Sequence, residues 1–134
     1  MQKKTELVRE WIKKATQDFG MAELAIEYQP EFRDSICFHC QQSSEKYLKA
    51  FLLYSDIEFK KTHSLNYLLD LVSELVLVPS DIYEFADILE EYGVAIRYPE
   101  SRNLSADDVQ EAINAATELK QFVVRLFENI GFTL

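Results

Sequence analysis

The stretch that decides the fold is Ser105–Ile130, SADDVQEAINAATELKQFVVRLFENI. Its apolar residues recur at steps of three or four residues: Val109, Ile113, Ala116, Leu119, Val123, Leu126 and Ile130. This heptad-like spacing puts them on one side of a helix and predicts near-parallel packing against other helices. Ser105 with Asp108 three residues later is typical of a capping box at a helix N-terminus. The stretch therefore predicts one long helix of a helical bundle.

The rest of the chain divides into four further helical segments. The 134 residues include only three glycines and three prolines, so few positions interrupt a helix. The predicted bounds are Thr5–Tyr28 for helix one, Glu31–Tyr54 for helix two, and a start at Thr62 or Ser64 for helix three. Ser80 is expected to cap helix four, and Gly93 to close it. We predict an all-α, up-and-down bundle of about five helices, forming a single domain over residues 1–134.

Composition and charge exclude several classes of protein. The formal net charge of −9 argues against a broad basic surface that would coat DNA or RNA. No apolar run is long enough to cross a membrane. The N-terminal residues, Met1–Glu6, carry charges and lead into an amphipathic helix, unlike the apolar core of a signal peptide. We expect a cytoplasmic protein without a membrane segment.

The two cysteines lie in Cys37-Phe38-His39-Cys40, inside the pattern of helix two. A redox C-x-x-C motif follows a strand and opens a helix, and structural zinc requires four ligands. Neither context is available here, so we expect two buried, reduced thiols, with no metal and no cofactor.

A cation stands out at the predicted bend between helices four and five, in Arg97-Tyr98-Pro99. One interpretation is phosphate binding by Arg97 with a base or ribose stacked on Tyr98, extended by Arg102 and Asn103. The other is an ion pair between Arg97 and the acidic helix four, with the tyrosine packed at the bend. Both remain open.

A second polar feature, Gln41–Lys46 (QQSSEK), interrupts the core pattern of helix two. It can line a nucleotide-sized groove, with Lys46 reaching a phosphate, or it can be a solvated helix face. We expect small serines at a helix seam and Glu45 and Lys46 at a rim. His39 is expected at a helix or dimer seam, and His63 just before or at the start of helix three, as a local capping residue.

Three stretches together resemble the HEPN-domain family. They are Phe38–Leu52 (FHCQQSSEKYLKAFL), Thr62–Leu69 (THSLNYLL) and Arg97–Pro99 (RYP). The resemblance implies an all-α bundle that pairs as a homodimer and works with a minimal nucleotidyltransferase, in a toxin–antitoxin or related two-component system. Many members are metal-independent ribonucleases, in which an arginine is followed, after four to six residues, by a histidine.

The chain departs from that ribonuclease signature. Counted from Arg97, the histidine would fall at Arg102, Asn103 or Leu104. Cleavage through the 2′-hydroxyl needs groups that gain and lose a proton near neutral pH, which histidine does and arginine does not. His63 or His39 would have to replace the missing group.

Three functional hypotheses follow. The first is a homodimeric regulatory module that works with a nucleotidyltransferase, has little or no ribonuclease activity, and contacts a nucleotide or RNA around Arg97. The second is a metal-independent ribonuclease toxin with a degenerate motif, which uses His63 or His39, or relies on Arg97 and Tyr98 alone. The third is a structural bundle without a ligand.

Overall fold

The protein is described by a computed structural model that covers residues 2–94 and 98–134. Five α-helices make up its regular structure in this part of the chain: α1 (Gln2–Tyr28), α2 (Arg33–Tyr54), α3 (Leu65–Val72), α4 (Ser80–Glu90) and α5 (Ala106–Asn129). The predicted all-α fold of about five helices is confirmed. None of the helices described has the length and apolar character needed to cross a bilayer.

Helix α2 forms the centre of the bundle, because it packs against each of the other four helices. Helices α1 and α5 flank it and barely touch one another, while α4 packs on α5 and α3. The fully buried side chains of Ile36, Leu48 and Leu52 on α2 meet Val8 of α1 and Leu119 of α5 in one core. Helix α1 thus lies at the outside of the bundle.

The N-terminus of α5 has the predicted capping box. Ser105 accepts a hydrogen bond from the Asp108 amide at 3.1 Å, and the Asp108 carboxylate accepts one from the Ser105 amide at 2.8 Å. Two of the otherwise unpaired amides at the helix start are satisfied in this way.

The expected ends of α4 were wrong. Pro79, in extended conformation, occupies the N-cap, and Ser80 is the first helical residue without a side-chain cap. Proline has a fixed φ and no backbone N–H that must be paired, so Pro79 occupies the N-cap position that was expected for Ser80. The C-cap is Glu91, and Gly93 does not adopt the left-handed conformation of a glycine cap.

Candidate functional site

The bend between α4 and α5 forms one wall of a cleft of about 480 Å³. Tyr98, Arg102 and Asn103, three residues predicted from the sequence as ligand contacts, line this cleft together. Arg97, on which the sequence prediction was centred, lies outside the described residues. The Tyr98 ring is 65% exposed at the cleft and is therefore free to stack on a planar group.

The opposite wall comes from the start of α2 and contributes Arg33, which the sequence reasoning missed. Its guanidinium donates a hydrogen bond to the Leu104 carbonyl at 2.9 Å, which fixes the side chain across the cleft. Among the described residues no carboxylate is paired with it, so its remaining N–H groups are available to an anion. Glu31 and Asp34 also line the cleft, which is therefore mixed in charge.

Arg102 is already engaged by two carboxylates. It donates to Glu91 at 2.6 Å and to Asp108 at 2.9 Å. The bonds to Glu91 and then Asp108 raise the pKa of Arg102 further above its usual range. Its guanidinium also lies 3.4 Å from the Tyr92 hydroxyl. These contacts tie the end of α4 to the start of α5, so Arg102 fixes the bend more than it offers charge to a ligand.

Lys46 lies apart from this cleft. It forms an ion pair with Asp18 on α1, and His39 Nδ1 lies 2.9 Å from the other oxygen of the same carboxylate. Nearby, the Ser43 hydroxyl donates to the Ala15 carbonyl at 2.9 Å. The serine and His39 therefore lie at the α1–α2 seam, as expected. Lys46 stabilises this seam and is not among the residues that line the cleft.

Glu45 was expected at a rim, and the structure corrects this, because the residue is only 3% exposed. Its carboxylate accepts hydrogen bonds from Lys49 at 2.8 Å and from Gln41 at 3.3 Å. A buried carboxylate is tolerated only when such donors replace water. The two donors lie four residues on either side of Glu45, one helical turn away, so the helix itself brings them together.

Lys49 completes the compensation of this buried charge. Its ammonium lies over the rings of Trp11 and Phe59, at 5.7 and 5.8 Å from their centroids. It also donates to the Thr62 carbonyl at 3.0 Å. Cation–π contact and hydrogen bonds together replace the hydration that the ammonium loses.

His63 is held by the same carboxylate. Its Nδ1 lies 2.9 Å from a Glu45 oxygen, and Gln41 donates to the His63 carbonyl at 2.8 Å. The side chain of His63 is nevertheless 61% exposed. Because Nδ1 faces a buried carboxylate, Nε2 is the nitrogen that remains available. Ser64, and not His63, caps α3, through a bond from the Tyr67 amide.

Gly93 brings the end of α4 against this histidine. A Cβ at position 93 would lie 3.3 Å from the His63 Cβ and 3.4 Å from Gln41 Nε2. Both contacts would be tight, so a side chain there would require these groups to shift by a few tenths of an ångström. Gln41 and Glu45 of α2 thus contact the segment before α3, and Gln41 also lies near the segment after α4. We call Gln41, Glu45 and Lys49 the buried polar cluster, which the exposed His63 contacts.

The sequence contained a signal for part of this arrangement. The succession of polar residues in Gln41–Lys46 marked a departure from the core pattern, but burial of Glu45 depends on α3 and its preceding loop covering it. Arg33 carried no signal, because a lone arginine at the start of a helix is common on protein surfaces.

The chain is similar to known proteins in both sequence and fold. The family model described as HEPN domain matches residues 8–127. An archaeal HEPN homologue of known structure is 28% identical with a TM-score of 0.72, over 89% of this chain and 96% of its own. A protein from Thermus thermophilus is 26% identical with a TM-score of 0.71, over 88% and 96%. An HEPN domain protein from Thermotoga maritima shares the fold with a TM-score of 0.74 at 22% identity, over 89% and 98%. No curated protein matches the chain significantly.

Proposed function

The chain belongs to the HEPN-domain family, and from this membership we propose that it is a homodimeric regulatory module that works with a minimal nucleotidyltransferase. The pair would form a two-component system of the toxin–antitoxin type in the cytoplasm. Its nucleotide or RNA contact would be centred on Arg97 and the cleft that follows it in sequence.

The observation that carries the ligand proposal is that Arg33 and Tyr98 line the same cleft. An arginine that no described carboxylate neutralises can bind a phosphate through two N–H groups. An exposed tyrosine beside it can stack on a base. In a chain with a net charge of −9, such a local site supports selective contact with one nucleotide and not coating of a polyanion.

Binding of a labelled single-stranded RNA of about ten nucleotides tests the ligand proposal. Arg33→Ala and Arg97→Ala are each expected to weaken binding about tenfold, the equivalent of one lost phosphate contact. ATP as a competitor separates recognition of a mononucleotide from recognition of a strand. Arg125→Ala is the matched control, because Arg125 is exposed on α5 away from the cleft. Equal effects of all three changes would contradict a local site.

The partner proposal is tested by tagging this chain in its native host. A nucleotidyltransferase is expected among the co-purified proteins, and tagging that partner should recover this chain in return. If neither purification recovers the other protein, the two-component assignment is contradicted.

A metal-independent ribonuclease is the second candidate, and the Glu45–His63 contact favours it. A histidine whose Nδ1 is held by a buried carboxylate keeps Nε2 for proton transfer, as general acid–base catalysis requires. If this candidate is right, the purified protein cleaves RNA in excess EDTA, and His63→Gln abolishes cleavage. His39→Gln is the matched control, because His39 also contacts a carboxylate but only 28% of its side chain is exposed. Absence of cleavage by the purified protein would contradict this candidate, and cleavage that survives His63→Gln would exclude His63 as its acid–base group.

A further inference from the structure

The wall of the cleft that carries Arg33 also carries a carboxylate, Glu31. The Glu31 side chain is exposed, and it forms no hydrogen bond or ion pair with any residue that the structure describes. Both of its oxygens can therefore accept hydrogen bonds from a ligand. A carboxylate repels a phosphate, so Glu31 opposes the binding of a nucleotide unless it contacts a donor group elsewhere in that nucleotide.

The cleft has room for one nucleotide. Its volume of about 480 Å³ lies within the range of roughly 300–1,000 Å³ that small-ligand sites occupy. Tyr98 lines it on the side of the bend, and its exposed ring offers a face on which a base can stack. Glu31 and Arg33 lie on the opposite wall, so a nucleotide stacked on Tyr98 can present the polar edge of its base to Glu31 and its phosphate to Arg33.

The four bases differ in donor groups that a carboxylate can distinguish. Guanine carries two neighbouring donors, the N1–H and the 2-amino group, which match the two oxygens of one carboxylate. Adenine and cytosine have an amino donor beside a ring-nitrogen acceptor, and the N3–H of uracil lies between two carbonyl acceptors. Such an acceptor would face the second carboxylate oxygen without a proton between them, which is unfavourable.

Asn103 supplies a further polar group on the side of the bend. Its side chain is exposed at the cleft and forms no hydrogen bond within the described part of the chain. Its amide N–H can donate to the O6 atom of guanine, which lies beside N1 on the same edge. The carbonyl of the same amide could accept from the adenine amino group. Discrimination between the two purines therefore depends on Glu31.

We propose that the cleft prefers guanine over the other bases. Glu31 accepts hydrogen bonds from N1–H and the 2-amino group, Tyr98 stacks on the base, and Arg33 binds the phosphate. This inference rests on the nucleotide or RNA contact of the proposed function and specifies its base. It also gives a role to a carboxylate that would otherwise weaken the binding of every nucleotide.

Calorimetric titration of the purified protein with GMP, IMP and AMP tests the preference. IMP differs from GMP only by the absence of the 2-amino group, so it keeps one of the two hydrogen bonds to Glu31. GMP is expected to bind about tenfold more tightly than IMP or AMP, the discrimination that one good bidentate contact provides. Equal affinities for the three would overturn the preference and leave nucleotide binding standing. Absence of binding by all three would overturn both.

The variant Glu31→Gln assigns the preference to this side chain. It is expected to lower the affinity for GMP about tenfold without lowering that for AMP, because it also removes the repulsion of the phosphate. Glu128→Gln is the matched control, since Glu128 is exposed near the end of α5 that lies away from the cleft. Equal weakening of GMP and AMP by Glu31→Gln would assign Glu31 to the ribose hydroxyls, which both ligands share, and would overturn the guanine contact.

Two RNAs of about ten nucleotides distinguish a base within a strand from a free nucleotide. Oligoadenylate with one central guanosine is expected to bind more tightly than oligoadenylate, and Glu31→Gln is expected to abolish the difference. Tighter binding of this guanosine-containing RNA than of GMP identifies a strand as the ligand, and the reverse identifies the free nucleotide. A difference between the two RNAs that persists in Glu31→Gln would overturn the assignment to Glu31.

Discussion

At the scale of single residues, Glu45 shows how one buried carboxylate sets the position of a surface histidine. Lys49 and Gln41 hold the carboxylate from within α2, and His63 approaches it from the start of α3. Lys49 and Gln41 hold the Glu45 carboxylate in place, and the carboxylate in turn fixes the orientation of the exposed His63 imidazole. Gly93 then leaves room for it beside the end of α4.

Removing this carboxylate should be costly. Glu45→Ala leaves the Lys49 ammonium buried without its anion, so we expect a loss of about 3 kcal/mol in the free energy of unfolding. Urea denaturation measures it. Asp56→Asn is the control, because the Lys4–Asp56 pair is largely exposed and should contribute less than about 1 kcal/mol. Equal costs for the two variants would mean that the buried polar cluster is not strongly coupled.

Arg102 provides the contrasting case among residues of the cleft. Because Glu91 and Asp108 already occupy its guanidinium, Arg102→Ala should lower thermal stability and leave RNA affinity unchanged. Differential scanning calorimetry and the RNA-binding measurement applied to the same variant separate the two effects. A loss of affinity like that of Arg33→Ala would show that Arg102 contacts the ligand.

At the scale of elements, the Ser105–Asp108 capping box at the N-terminus of α5 makes the stability of the protein depend on pH. The backbone bond from Ser105, followed by the side-chain bond from Arg102, lowers the pKa of Asp108 below its usual value of 3.8. Because the pKa of Asp108 is lower in the folded than in the unfolded state, its ionised carboxylate stabilises the fold at pH values above the unfolded pKa. This contribution is lost as the pH falls through the folded pKa.

Two variants test this cap. Ser105→Ala is expected to cost about 1 kcal/mol at neutral pH, the usual value for a lost helix cap. The stability difference between wild type and Asp108→Asn should stay constant above about pH 5 and shrink below about pH 4. Urea unfolding across this range measures both. A difference that does not change with pH would contradict the role of the carboxylate charge.

The helices themselves were largely predictable, and the reasons for the misses are local. Apolar periodicity predicted α1 and α5, because each buries a long stripe against its neighbours. Helix α2 was predicted as well, although its residues 43–52 are buried on nearly every side and not along one stripe. The start of α4 was misassigned, since Pro79 competes with Ser80 for the cap. Tyr98 was predicted as a ligand contact because its motif stood out in the sequence, and the structure places it in the cleft. The side with Arg33 was not, because only tertiary packing brings the start of α2 to the bend.

At the scale of the whole molecule, the aromatic cluster around Phe127 joins α5 to α2 and to the C-terminal segment. Its ring lies 5.6 Å from that of Phe51, 5.9 Å from Tyr54 and 5.1 Å from Phe132. The side chain is fully buried. Helices α1 and α5 barely touch one another. The α2–α5 seam, which includes this aromatic contact, therefore connects α5 to α2 and, through α2, to α1.

Loss of this ring should weaken the entire fold. Phe127→Ala is expected to lower the free energy of unfolding by about 4 kcal/mol, with a single cooperative transition retained. Phe132→Ala should cost less than half as much, because that ring is only partly buried. Coincident denaturation curves from circular dichroism and fluorescence check the cooperativity. Separate transitions would mean that the two sides unfold independently.

The central position of α2 also sets an order of assembly in time. It meets α1 through a short connection, whereas its seam with α5 requires the chain to return past α3 and α4. Closing the shorter loop loses less entropy, so the α1–α2 hairpin should form early in folding and the docking of α5 late. In stopped-flow experiments, Val8→Ala should then mainly slow folding, and Leu119→Ala should mainly accelerate unfolding. The reverse pattern would place α5 in the folding nucleus.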